Sequence, residues 1–309
     1  MTPTLHVENP GVLTTVQDLG RPNAVSAGVQ AGGAMDRFAH SAANLLVGND
    51  PGVATLECTV SGPTLLADER CLIAIAGADF DPRVNGAAMP SWTSLVLEPG
   101  DRLTFAGRRS GARVYIAIAG GFEGDRWLGS QSTNLMAGRG GMHGRPLKAG
   151  DTLNAMGEAR KSALAGRHMP EPLRPAYSDH TLHAIAGPHL KRLDPESRRL
   201  LFQVSYKVGL HSDRMGYRLD GPQLVAAGGE LLSFGLTVGV VQLPPSGQPI
   251  LLMADHPTAG GYPIVACVVS ASLPIAAQLL PGDELRLADI TLERAQKMRQ
   301  TLAAALDVL

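Results

Sequence analysis

Apolar runs of four to eight residues recur along the chain, most of them bounded by glycine, proline or a polar turn, and this restricts the fold more than any other feature. Val53–Val60, Cys71–Ala76, Ser94–Leu97, Arg102–Phe105, Arg113–Ala119, Thr181–Ala186, Val238–Leu243, Ile250–Ala254, Pro263–Ser270 and Glu284–Leu287 are rich in Val, Ile, Leu and Ala. Runs this short with such punctuation read as buried strands. The 36 glycines and 22 prolines are spread throughout, so they punctuate elements and do not form a linker. Three helices interrupt the pattern. Asp36 can cap one whose apolar positions are Phe38, Ala42, Leu45 and Leu46, with Gly48 or Asn49 at its end. Asp194-Pro195 is a cap followed by a first-turn proline. From Thr291 onward, Leu292, Ala295, Met298, Leu302 and Leu306 share one helical face.

An imperfect repeat organises these elements. Cys71–Gly77 reads CLIAIAG and is followed by EPGDRLTF at Glu98–Phe105; Thr181–Gly187 reads TLHAIAG and is followed by LPGDELRL at Leu280–Leu287. Each Pro-Gly-Asp reads as a turn in which Gly takes a positive φ and Asp closes the turn with its side chain. A weaker copy, LKAGDTL at Leu147–Leu153, closes the first half. The polar stretch 157–179, with Pro170, Pro172 and Pro175, marks the boundary. The expectation is mainly β: two related β-barrel domains in tandem with a few short helices, covering 1–165 and 178–309.

Composition excludes several function classes. With 309 residues, two domains are the default. The 27 basic and 28 acidic side chains nearly cancel, and without a basic field neither nucleic acid nor a membrane surface is an expected partner. Cys58, Cys71 and Cys267 fit neither a zinc site nor a redox pair and read as core thiols of a reducing, cytoplasmic protein. The first ten residues lack a signal-peptide pattern, and no run approaches the ~20 apolar residues of a membrane span. The nine histidines include His180, His183 and His189, but no HExxH or Cys/His framework, so no metal site is expected.

Four segments carry more glycine and polar residues than strand packing needs: Thr15–Arg21 (TVQDLGR), Gly28–Asp36 (GVQAGGAMD), Val238–Pro249 (VGVVQLPPSGQP) and Ala254–Pro263 (ADHPTAGGYP). Gly32-Gly33 and Gly260-Gly261 let backbone approach a ligand, or simply make tight turns. Asp18 and Arg21 can form a local ion pair. Gln242 sits in an apolar strand, where a buried amide must be hydrogen-bonded, as a structural tie or as a substrate contact. Asp255 and His256 stand at a strand end, but neighbours on a strand face opposite ways, which argues against a strict acid–base dyad. There is no P-loop, no dinucleotide fingerprint and no G-x-S-x-G.

Taken together, TVQDLGR, GGAMDRFAHSAANLLVGND (Gly32–Asp50), SDRMGYRLDGP (Ser212–Pro222), VVQLPPSGQPILLMAD (Val240–Asp255), TAGGYP (Thr258–Pro263) and LPGD (Leu280–Asp283) resemble the biotin-dependent carboxyltransferase family, in its allophanate-hydrolase-subunit-2 branch of carboxyltransferase subdomains A and B. The resemblance implies a pair of cyclophilin-like β-barrels. It also implies a component of an ATP-dependent 5-oxoprolinase complex, opening 5-oxo-L-proline to L-glutamate. Such a component is inactive without a B-type sister (allophanate hydrolase subunit 1-like) and a lactam-utilisation-like A-type partner. ATP with magnesium would be bound with or by the partners, and no biotin is attached to this chain. The alternatives are a component of a urea carboxylase-type carboxyltransferase and a non-catalytic partner of a kinase-inhibitor-like protein. Two departures stand out: His256-Pro257-Thr258-Ala259 replaces a common Gln-Thr-Thr, and Ser272 replaces an acid that often precedes Leu-Pro. With the resemblance, the expected catalytic residues are Asp255, Gln242 and Tyr262. The expected substrate-binding residues are Arg21, Arg214, Gly260, Gly261 and Asp18.

Overall fold

The computed structural model describes residues 3–156, 163–228 and 231–309. The chain is mainly β and separates into two compact units. The first comprises Met1–Arg21, Gly32–Arg174 and Ala305–Leu309; the second comprises Pro22–Ala31 and Pro175–Ala304. The division after Arg174 falls in the expected polar stretch, of which 157–162 lie outside the described residues.

In the first unit two sheets enclose one apolar core. One sheet has six strands in the order Thr152–Asn154, Thr4–Asn9, Thr64–Ala67, Arg102–Phe105, Pro82–Val84, Ala87–Ala88. The other has five, in the order Leu13–Gln17, Thr55–Thr59, Ser110–Ile118, Cys71–Asp79, Thr93–Leu97. Two inner strands of the five-stranded sheet, Ser110–Ile118 and Cys71–Asp79, are buried on both faces, and their pattern explains why. Ile73, Ile75, Val114, Ile116 and Ile118 enter the core between the sheets. The alternate set, Leu72, Ala74, Ala76, Tyr115 and Ala117, is equally buried but lies under helix α1 (Arg37–Leu46), which packs on both strands. That helix starts where its cap was expected, the Asp36 carboxylate accepting the Ala39 N–H at 2.9 Å. It stops before Gly48, which takes φ +69°.

The second unit holds a closed seven-stranded barrel, in the order Thr181–Ala186, Ile264–Val268, Val240–Gln242, Ile250–Leu252, Gly216–Asp220, Ser205–Val208, Glu284–Asp289. Parallel pairing of Thr181–Ala186 with Glu284–Asp289 closes it. Phe234–Gly235 and Ala259–Gly260 form a separate two-residue ribbon. Three further helices are α2 (Pro195–Gln203), capped by Asp194, α3 (Leu273–Ala276) and α4 (Leu292–Leu306). The short barrel strands Ser205–Val208 and Gly216–Asp220 alternate buried with exposed residues and so present no apolar run in the sequence.

The turns of the repeat share one geometry, although its strands pair differently in the two units. In all three turns glycine has a positive φ: Gly100 +89°, Gly150 +87° and Gly282 +99°. In each the aspartate carboxylate accepts the N–H three residues back: Glu98 N–H to Asp101 at 2.7 Å, Lys148 N–H to Asp151 at 2.9 Å, Leu280 N–H to Asp283 at 2.8 Å. Each turn then clamps one residue of a neighbouring segment by a pair of backbone bonds. The glycine N–H donates to the carbonyl of Ala67, Val7 or Val208, and that residue's N–H donates to the aspartate carbonyl, all at 2.7–2.9 Å.

Candidate functional site

The second unit holds the expected site residues other than Asp18 and Arg21, in two groups: Gln242 with Gly260 where Gln242 pairs with Ile250, and Arg214 with Asp255 beyond the other end of Ile250–Leu252, where Gly216 pairs with Leu252. Arg214 and Asp255, assigned separate roles from sequence, are partners. Arg214 Nε and Nη2 donate to the two Asp255 carboxylate oxygens at 2.7 and 3.1 Å, and Asp255 N–H donates to the Arg214 carbonyl at 2.8 Å. The pair is largely buried, with side-chain exposures of 11 and 15%. A two-point fork of this kind fixes a carboxylate in direction as well as position. Gln30, in the segment that joins this unit from early in the chain, donates its amide to the Asp255 carbonyl at 2.6 Å. His256 turns away from such a pairing, its Nδ1 lying 2.7 Å from the carbonyl of Pro257.

Gln242 ends the strand Val240–Gln242 and is 5% exposed. Its Nε2 is buried with no hydrogen-bond partner among the described residues. A stranded buried donor costs about 1–3 kcal/mol, so a site that keeps one has a reason for it other than packing. The group stands beside Gly260: a Cβ placed there would lie 3.3 Å from Gln242 Nε2 and 3.1 Å from Leu236 Cδ1. Leu236, Val240, Leu252 and Ile264 form the apolar cluster of this region, with Phe234 and Ile250 against it. Gly261 is required for a different close approach, since a Cβ there would lie 2.6 Å from the Leu231 carbonyl. Tyr262 follows with 46% exposure. His189 closes the same edge: its Nδ1 accepts the Ile264 N–H at 3.0 Å, and its ring lies 5.4 Å from that of Phe234. Because a backbone amide can only donate, Nδ1 is the unprotonated nitrogen and the neutral ring carries its proton on Nε2.

Asp18 and Arg21 belong to the first unit, where their bonds tie one loop together. The Asp18 carboxylate accepts four hydrogen bonds: Ser130 and Ser132 hydroxyls at 2.6 Å each, Gln131 N–H at 2.6 Å and Gly20 N–H at 2.7 Å. Burial works to raise its pKa, but these donors outweigh it and hold the group below the ordinary aspartate range. Arg21 is 2% exposed, donates to the Ser132 carbonyl, and sets its guanidinium 4.9 Å from the Trp127 ring centre. The expected Asp18–Arg21 pairing is thus replaced by two separate anchors on one loop. Gly33, too, faces protein: a Cβ there would lie 2.8 Å from Leu19 and Gly20 backbone. Cys58 and Cys71 are buried thiols whose pKa burial pushes up to about 12.

Trp127, Gln30 and His189 were not legible as site residues. Gln30 lies in the glycine-rich segment 28–36 and His189 follows His180 and His183, but neither pattern marked the side chain itself, and only the fold brings each of the three to its partner. Among the described residues no three His, Cys, Asp or Glu side chains gather to hold a metal ion, and no helix is long and apolar enough to cross a membrane.

Comparison with known proteins bears on this geometry. Residues 27–289 match the family model described as carboxyltransferase domain, subdomain A and B. The chain is 37% identical over 297 residues to the C subunit of 5-oxoprolinase from Escherichia coli (strain K12), covering 96% of this chain and 94% of that one. It is 33% identical to the C subunit of 5-oxoprolinase from Haemophilus influenzae, covering 95% and 93%. The crystal structure of the K. lactis urea amidolyase superposes with a TM-score of 0.92 at 28% identity, over 99% of this chain but 20% of that chain.

Proposed function

Since the chain belongs to the carboxyltransferase domain family, subdomains A and B, we propose that it is the C-type component of an ATP-dependent 5-oxoprolinase and takes part, with A- and B-type partners, in opening 5-oxo-L-proline to L-glutamate. The observation that carries this reading is the match over nearly the full length of two proteins named as the C subunit of 5-oxoprolinase.

The chemical difficulty is the resonance of the lactam amide, which must be reduced before water can add. The stranded Gln242 Nε2 is suited to donate to the lactam oxygen, where negative charge grows as the carbonyl is attacked. A substrate reaches that donor only if the ribbon carrying Gly260 yields, and a two-residue ribbon is easily displaced. Asp255 lies at the other end of the strand Ile250–Leu252 from Gln242 and is assigned to orient or deprotonate a group approaching from that end; Arg214 is assigned a positioning role, holding the carboxylate by its fork. Tyr262 and the Gly260–Gly261 backbone flank the substrate. Asp18 and Arg21 bond within their own loop of the first unit. ATP would supply amide activation, but neither Gln242, among apolar neighbours, nor Arg214, already held by Asp255, fits a triphosphate, so we assign that group outside these residues, with or on the partners.

The test is reconstitution. Purified chain, its co-encoded A- and B-type partners, ATP and magnesium are mixed with 5-oxo-L-proline, and glutamate is followed. Glutamate formed only with all three proteins is the expected result. An assembled complex that forms none would overturn the reading. The likeness to urea amidolyase favours a second reading, a component of a biotin-dependent carboxyltransferase, for which turnover requires bicarbonate and stops with avidin.

A further inference from the structure

Apart from the residues assigned above, the first unit has a cleft of about 480 Å³ lined by Arg126, Trp127, Gly138, Arg139, Gly140 and His143, among others. We propose that this cleft binds an oxyanion of the phosphate class; the inference does not depend on the amide-opening reading.

Three observations carry it. Arg126 and Arg139 both line the cleft, and neither has an ion-pair or side-chain hydrogen-bond partner among the described residues. Two guanidiniums lining one cleft offer an oxyanion a pair of forked donors. The one acid in the wall, Asp125, is met by His143, whose Nδ1 lies 3.1 Å from Asp125 Oδ2.

Secondly, the backbone amides of Gly138, Gly140 and His143 make no hydrogen bond within the described chain, although Gly140 is a buried residue. Their segment alternates in hand, with positive φ at Gly138 (+61°), Gly140 (+77°), Gly141 (+57°), His143 (+54°) and Gly144 (+69°). Alternating hand is the backbone pattern from which anion nests are built, and here it leaves amides lining the cleft unspent while Arg139, Gly141 and Gly144 N–H tie the loop to itself.

Thirdly, the loop is held against its own preferences. His143 keeps a left-handed conformation that costs a non-glycine residue free energy. A Cβ on Gly140 would run into the Ser132 carbonyl, and one on Gly144 into Gly138. Paired backbone bonds between Asp125 and Gly141, at 2.8 and 3.1 Å, close the loop at its base. Arg21, beneath, fixes the Trp127 ring. A merely solvated surface loop needs none of this over-determination.

The full-length chain is titrated with inorganic pyrophosphate at constant ionic strength, following tryptophan fluorescence and, in parallel, heat by calorimetry. Trp127→Phe identifies the reporter, since the other tryptophan, Trp92, is buried elsewhere in the unit. A saturable signal is expected in the native chain, with its midpoint raised at least about tenfold in the double variant Arg126→Gln/Arg139→Gln. Both arginines are exposed, so circular dichroism should show the variant folded. No saturable binding by either method, or an unchanged midpoint in the folded variant, overturns the proposal. Malonate binding more tightly than pyrophosphate overturns the phosphate assignment in favour of carboxylates.

Discussion

Two buried side chains separate structure from chemistry at the residue scale. Gln242 stabilises nothing with its stranded Nε2, so replacing it with Leu should leave the melting temperature unchanged or raise stability by up to ~1 kcal/mol, while lowering kcat in the reconstituted complex by about 10²-fold. A drop in stability with full activity would make it a structural tie instead. His40 is fully buried in α1, with Nδ1 2.9 Å from Thr55 Oγ1, and burial pushes its pKa down to about 4. The unfolded chain binds that proton near pH 6.5, so between the two values the unfolded state holds more protons and stability falls as pH falls. The expected loss from pH 7 to pH 4 is ~3 kcal/mol, read by denaturant titration; His40→Gln should flatten that part of the profile. A profile in the variant as steep as in the native chain would refute this. Gln242 was legible because an amide in an apolar strand is conspicuous. The Arg214–Asp255 fork was not, because the two residues are 41 positions apart and nothing local couples them.

At the element scale the Pro-Gly-Asp and Ala-Gly-Asp turns offer a graded experiment. Asp283→Ala removes one carboxylate–amide bond, an expected cost of about 1 kcal/mol, and Asp101→Ala removes the equivalent bond together with an exposed one from the Asn85 side-chain amide at 2.6 Å. Asp151→Ala should cost more, because that carboxylate also receives Arg145 through two bonds of 2.8 Å. Equal melting temperatures for all three would show that the shared geometry carries no shared energy. These turns, the three longer helices and most core strands were readable because their signals are local: a cap, a glycine, a short apolar run. Thr4–Asn9 and Leu13–Gln17 escaped, since each mixes polar and apolar residues and becomes a strand through pairing with distant partners, Thr64–Ala67 and Thr55–Thr59. The closed barrel of the second unit and the two-sheet arrangement of the first follow from such pairings; the repeat suggested two barrels in tandem and the resemblance made them cyclophilin-like, but neither supplied the strand orders or the first unit's two sheets.

On the scale of the whole molecule, the complex should turn over 5-oxo-L-proline without added bicarbonate and in the presence of avidin; inhibition by avidin would favour the urea carboxylase-type reading. The allocation of chain between the units has its own bearing. The ten residues Pro22–Ala31 belong to the second unit, though the first unit's residues flank them on both sides. A gene cut once, at the junction of Arg174 and Pro175, would therefore hand over a second half without Gln30, the residue whose amide meets the Asp255 carbonyl. The second unit is not a continuous stretch of chain, and any transplant of it must carry Pro22–Ala31 along with Pro175–Ala304.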